Sequence, residues 1–132
     1  MRYLLDTCVV SDFAQGHPQV LARVKAVSPE EIAVSAITEM EVAYGLNLNP
    51  RLARRLGPVM RAFFGAIEVL PYGRAEAAAT AGIRAALKKR GSPIGAYDAL
   101  IAGAALAADL TLVTSNVREF DRVEGLRVEN WR

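Results

Sequence analysis

Histidine and cysteine are almost missing from this chain: His17 and Cys8 are the single representatives in 132 residues. A disulfide framework needs pairs and the usual zinc site needs several Cys or His ligands, so neither forms within one chain. Any metal would be a hard, oxygen-liking ion held by Asp and Glu. A strong charge of one sign is missing too, because 16 Lys and Arg face 14 Asp and Glu for a formal net charge of +2. That balance permits an anionic partner without demanding one. No apolar run is long enough for a bilayer: the longest, "ALIAGAALAA", lies between Asp98 and Asp109. The chain also reaches the acid Asp6 with no basic region and apolar stretch before it, which does not read as a signal peptide. A soluble cytoplasmic protein that does not use the membrane is expected, without repeats or low-complexity tracts.

What is present is an ordinary core-forming composition, 52% hydrophobic and 23% charged, at a length suited to one domain over residues 1–132. Short strand-like runs ("YLL", "IAVS", "IEVLP", "TLVT", "RVEN") alternate with stretches of helical period, among them "PQVLARVKAV", "TEMEVAYGL", "RLARRLGPVMRAFFGA", "RAEAAATAGIRAALKKR" and "YDALIAGAALAA". Parallel strands need crossover connections, and those crossovers are usually helices. The expected fold is therefore α/β, a three-layer α/β/α sandwich around a mostly parallel sheet.

Ligands of such sheets bind outside the carboxyl ends of the strands, so polar residues just after each strand are the ones to weigh. Asp6 and Thr7 follow the first strand, Ser35, Thr38 and Glu41 follow the second, and Thr114, Ser115 and Asn116 follow "TLV". Asp98 falls near the start of a helix, on the same face as Ile101, Ala102 and Ala105, and so points along an apolar stripe.

Each acid has an ordinary structural use. Asp6 suits a helix N-cap, Thr38 and Glu41 have the spacing of a capping box, and Asp98 complements a helix dipole. Together, however, they fall on one edge. Three carboxylates brought close repel, and one of them takes up a proton unless a cation lies between them. Oxygen-only ligation favours Mg²⁺, with Mn²⁺ as the alternative, and such ions serve phosphodiester hydrolysis by activating water and neutralising charge. The neighbouring acids Glu39 and Glu41 diverge by roughly 200° at about 100° per helical residue, so only one of them enters such a site.

The stretches "YLLDTCVVS", "VSAITEMEVAYGL", "GSPIGAYDALIAGAALAADLTLVTSNVREFDRV" and "GLRVENW" resemble, in order and spacing, the PIN-domain ribonucleases, specifically the VapC-type toxins of bacterial and archaeal toxin–antitoxin pairs. The resemblance runs almost end to end. It implies that Asp6, Glu41 and Asp98 are metal-binding catalytic acids of an endoribonuclease, with Thr7 and Thr114 supporting them. It also implies a homodimer and a cognate VapB-type antitoxin that blocks the site. An RNA substrate follows, with tRNA suggested by family habit alone. The chain departs from the pattern twice. Many members have Asn where this chain has Cys8, and many carry a fourth acid where it has Asn116, leaving Asn116, Glu119 or Asp121 to complete the site and the number of ions open.

Other phosphate chemistries lack their residues. A haloacid-dehalogenase site needs a second Asp where Cys8 stands, a receiver domain needs an acidic pair after the first strand, and a P-loop needs a Gly-rich loop ending in Lys. The rival from another class is a non-catalytic module that binds nucleic acid or a protein partner. It would use Arg51, Arg54, Arg55, Arg61, Lys88, Lys89 and Arg90 along a phosphate backbone. Metal dependence separates the two, because a binding module holds RNA without divalent ions and never shortens it.

Overall fold

Strand-forming triplets and quartets build the centre of the protein. In the computed structural model, which describes all 132 residues, β1 (Tyr3–Leu5), β2 (Ile32–Ser35), β3 (Glu68–Leu70), β4 (Thr111–Val113) and β5 (Val128–Glu129) form one sheet in the order β3-β2-β1-β4-β5. Every pairing is parallel, with Leu4 opposite Ala33 and Leu5 opposite Val113. Seven helices make the connections: α1 (Thr7–Ala14), α2 (Pro18–Ala26), α3 (Ala36–Leu48), α4 (Pro50–Ala66), α5 (Arg74–Lys89), α6 (Ala96–Ala108) and α7 (Val117–Phe120). The expected parallel α/β/α sandwich is the observed fold.

The period of two along each strand divides the core between the two faces of the sheet. Leu4, Ala33 and Leu112 point to one side, where they pack with Ile83 and Leu87 of α5, Ile101 and Ala105 of α6, and Phe120. Tyr3, Leu5, Ile32, Val34 and Val113 point to the other, against Val9 and Val10 of α1, Val20 of α2, Met60 and Phe63 of α4, and Trp131. Burying such side chains stabilises the fold by roughly 1.5–3 kcal/mol each before chain entropy is counted.

Local chemistry sets the helix starts. The lone histidine, His17, caps α2, its imidazole accepting from the Val20 amide ahead of Pro18, and Asn49 does the same for α4 ahead of Pro50. On the first face α5 and α6 lie very close. A β-carbon built on Gly103 of α6 would fall 2.0 Å from Thr80 Oγ1 of α5, so only glycine permits this approach.

The topology also marks a position. From β1 the chain runs to β2 and β3 on one side, then crosses to β4 on the other. The carboxyl ends of β1 and β4 therefore flank the switch point of the sheet, where α/β folds place their ligands.

Candidate active site

Asp6 sits at that switch point, immediately after β1, and is buried at 5% exposure. A lone buried carboxylate is costly, so its oxygens must be satisfied. Oδ1 accepts from the Thr7 amide at 2.8 Å, which makes Asp6 the N-cap of α1. Oδ2 accepts from Thr114 Oγ1 at 2.8 Å, bridging the ends of β1 and β4. The ordinary capping use of Asp6 is thus real, and it fixes the carboxylate at the sheet edge rather than replacing any other role.

Glu41 comes from α3. Its Oε1 accepts from Thr7 Oγ1 at 2.7 Å, and the same hydroxyl lies 3.2 Å from the buried Thr38 Oγ1. The suggested capping box between Thr38 and Glu41 does not form, because the helix starts earlier: Ser35 is the N-cap and accepts from the Ile37 amide. Glu41 is consequently free to face the centre, while Glu39 is exposed on another side of the helix. Their angular separation on the sequence is realised in space.

Asp98 lies in the first turn of α6, whose next turns bury Ile101, Ala102 and Ala105. Its carboxyl is pushed up to about 6, first by burial and then by the negative charges of Asp6, Glu119 and Glu41. None of these four acids forms an ion pair with a Lys, Arg or His. Four carboxylates from four separate segments therefore share one electrostatic field with no ion pair inside it, and Arg122 acts on Glu119 from beyond ion-pair distance.

Glu119, on α7, is the fourth. One oxygen accepts from the Gly95 amide at 2.9 Å and the other from Asn116 Nδ2 at 2.5 Å, and these bonds hold its carboxyl below the ordinary value. Asn116 thus uses its side chain on Glu119, and its amide N–H donates to Thr114 Oγ1 at 3.0 Å. Asp121 ends α7 as an exposed residue and is not among the charges that act on Asp98.

Cys8 reaches the same centre. Its Sγ lies 3.4 Å from Asp6 Oδ2 and 3.4 Å from Ser115 Oγ, and burial together with Asp6 raises the thiol above its ordinary range. It therefore stays protonated at neutral pH and offers the carboxylate an S–H donor. This contact was not visible in the sequence: Cys8 packs against the core on the Trp131 side of the sheet and also touches Asp6. The Gly95–Glu119 bond was likewise invisible beforehand, since it spans 24 residues and depends on how two loops meet.

The donor set is hard, anionic oxygen throughout, which fits a divalent hard cation and nothing softer. The side chains are not drawn into a closed group of three or more ligands. They converge as a field rather than as a finished cage.

The PIN-domain family model matches residues 3–126 of this chain. The chain belongs to the PIN-domain family. Its relatives include the tRNA(fMet)-specific endonuclease VapC of Salmonella typhimurium, 35% identical over 131 residues that span 99% of this chain and 98% of that protein. Ribonuclease VapC2 of Haemophilus influenzae is 36% identical over 132 residues, with the same coverage of 99% and 98%. Among solved structures, the DNA-bound VapBC complex of Salmonella typhimurium superposes with a TM-score of 0.92 at 35% identity, covering 100% of this chain and 99% of that one. This PIN domain is thus a VapC-type ribonuclease by family, and its acids occupy the carboxyl edge of the sheet that the fold reserves for ligands.

Proposed function

We propose that this single PIN domain, residues 1–132, is a metal-dependent endoribonuclease toxin that hydrolyses RNA phosphodiester bonds and is silenced by a cognate VapB-type antitoxin. The observation that carries the reading is that Asp6, Glu41 and Glu119 all act on Asp98 with their charges while none of the four forms an ion pair. Asp6, Glu41 and Asp98 would hold Mg²⁺, or Mn²⁺ in its place, with Glu119 at the margin of the same field. The ion supplies activation of water and neutralisation of charge on the phosphate.

The remaining roles belong to the protein. Thr114 and the Thr7 amide fix both oxygens of Asp6, so that this carboxylate needs no reorganisation when substrate arrives. Thr7 Oγ1 orients Glu41. Asn116 and the Gly95 amide position Glu119, and Asn116 is a positioning residue in this reading rather than a ligand. The name of the Salmonella relative supports a tRNA substrate, and the VapBC complexes support an antitoxin that covers the site. A homodimer in the cytoplasm completes the proposal; no helix of the chain is long and apolar enough to cross a membrane.

The test is cleavage of cellular RNA by the purified chain with Mg²⁺, with Mn²⁺ and with chelator, followed by mapping of new 5′ ends. Cleavage that needs the ion and concentrates on a few sites is expected. RNA that is bound but never shortened under any of these conditions would overturn the enzymatic reading in favour of a binding module.

A further inference from the structure

The loop between α5 and α6 has little of its own to hold it. Gly91 and Ser92 close the end of α5, their amides donating to the Lys88 and Leu87 carbonyls at 3.0 and 2.9 Å, and the Gly95 carbonyl opens α6 by accepting from the Ala99 amide. Between those ends Pro93 brings no N–H. Two polar ties remain: the Pro93 carbonyl accepts from Arg122 Nη1 at 3.1 Å, and the Gly95 amide donates to Glu119 Oε1 at 2.9 Å. Both partners come from one stretch, Glu119 inside α7 and Arg122 just beyond it. That stretch is itself tied down, since the Arg122 amide donates to the Glu119 carbonyl at 3.2 Å and Arg90, at the end of α5, donates to the Arg122 carbonyl.

A single bond lets a loop pivot, whereas two bonds placed two residues apart fix the way it faces. Asp98 depends on that orientation. Gly95 is the N-cap of α6 with Asp98 in the first turn, and a β-carbon built on Gly95 would lie 3.1 Å from Asp98 Oδ2. The carboxylate therefore rests against the Gly95 backbone, and a rotation of Gly95 displaces it. Arg122 is exposed and forms no ion pair, and one hydrogen bond at the surface adds little to overall stability. What the bond supplies is orientation.

We propose that Arg122 is a positioning residue of the acidic site: together with Glu119 it grips residues 93–95 at two points and so sets where Asp98 stands relative to Glu119. The inference rests on the reading that these carboxylates hold a divalent ion. Its charge and its bond act with opposite signs. As a positive charge near the acids, Arg122 repels an incoming cation, so its removal by this effect alone would tighten metal binding. As a grip it keeps two carboxylates in register, and its removal weakens metal binding, as the loss of a group that orients a ligand does. About tenfold is expected, the low end for such partners, because Glu119 still holds Gly95. The sign of the change therefore separates the two actions.

The experiment titrates Mn²⁺ into the RNA-free full chain and counts the free ion by electron paramagnetic resonance, in wild type, Arg122→Met and Arg122→Lys. Methionine keeps the stem but loses donor and charge, whereas lysine keeps a donor for the Pro93 carbonyl. The Kd for Mn²⁺ should rise about tenfold in Arg122→Met and stay within about threefold of wild type in Arg122→Lys. Hydrogen exchange in the metal-free proteins reads the grip without any ion. The Gly95 amide should exchange about tenfold faster in Arg122→Met, while the Ser92 amide, bonded to Leu87 at the end of α5, should not change. In cleavage the half-saturating Mg²⁺ should rise by about the factor seen for Mn²⁺, with KM for RNA within about twofold. Tighter or unaltered Mn²⁺ binding in Arg122→Met overturns the inference, and so does an equal gain in exchange at Ser92, which would mark a general loosening. A raised KM for RNA with Mn²⁺ binding unaltered also overturns it and gives Arg122 to the phosphates of the substrate. A wild type that binds Mn²⁺ but never shortens RNA removes the nuclease reading alone, and Mn²⁺ binding with Gly95 exchange then decides on Arg122.

Discussion

Replacing Asp98 by Asn should make the metal-free protein more stable while destroying its activity. The native fold raises the Asp98 carboxyl from an ordinary value of 3.8 to about 6, through burial and the charges of Asp6, Glu119 and Glu41. At 1.36 kcal/mol per decade, that displacement corresponds to roughly 3 kcal/mol of penalty on the ionised native state. The side chain is only partly buried and water screens it, which reduces the figure to about 1–2 kcal/mol. An acid raised on folding favours the native state at low pH, and that advantage disappears as pH rises through the folded value. The difference between D98N and wild type should therefore be full above pH 6, shrink between about 6 and 4, and vanish below.

For a chain of this size 1 kcal/mol corresponds to about 3–5 °C in Tm, so scanning calorimetry in chelator at pH 7.5 should place D98N about 3–10 °C above wild type. Added Mg²⁺ should invert the ranking. A ligand at a hundredfold excess over its Kd stabilises by about 2.7 kcal/mol, and only wild type keeps the site that collects it. RNA cleavage by D98N should be absent under all these conditions. A metal-free D98N that melts below wild type, or a gap indifferent to pH, would refute the repulsion argument; undiminished cleavage by D98N would remove Asp98 from the site.

Three further outcomes are expected. In a host without antitoxin, Glu41→Gln should abolish growth arrest and RNA cleavage while Glu39→Gln keeps both, because Glu41 bonds Thr7 toward the acidic centre and Glu39 is exposed; the opposite result transfers the role to Glu39. Gly103→Ala should destabilise the fold by about 1–3 kcal/mol in chemical denaturation, since its new methyl meets Thr80 Oγ1 at 2.0 Å, and an unchanged midpoint would show that α5 and α6 separate freely. If the antitoxin offers a guanidinium to the carboxylates, as their unpaired charge invites, raising Mg²⁺ at constant ionic strength should weaken its binding, and an indifferent affinity would exclude that mode.

The fold was legible because its signals are local and repeated. The alternation of "YLL", "IAVS" and "TLV" with long helical stretches dictates parallel strands joined by crossovers, and those three runs are β1, β2 and β4 with little change. The stretch from Pro18 is α2, and that from Arg51 is α4 apart from Pro50, which takes the first helical position because its missing N–H costs nothing there. Gly103 was not legible as a point of contact. An interior glycine in an alanine-rich helix has nothing in its own neighbourhood to say which side chain of another helix will press against it.

The site divides along the same line, and Asn116 is the instructive case. Asp6 could be placed from its own strand, whereas the roughly 200° between Glu39 and Glu41 excludes one of them without choosing, and the choice of Glu41 rests on the resemblance of its segment to the family pattern. Asn116 invites the opposite inference, that a lost acid leaves a gap or that the amide coordinates in its stead. In space the amide donates to Glu119, whose other oxygen is taken by the Gly95 amide, and Glu119 in turn helps to raise Asp98. The fourth negative charge of the cluster therefore comes from Glu119, aimed by the Asn116 amide three residues before it. Spacing cannot disclose such an arrangement, since it depends on the turn that opens α7 and on a loop 24 residues away. Asn116 acts at this edge through the acid it orients, and the helical turn between them brings that acid within reach of Asp98.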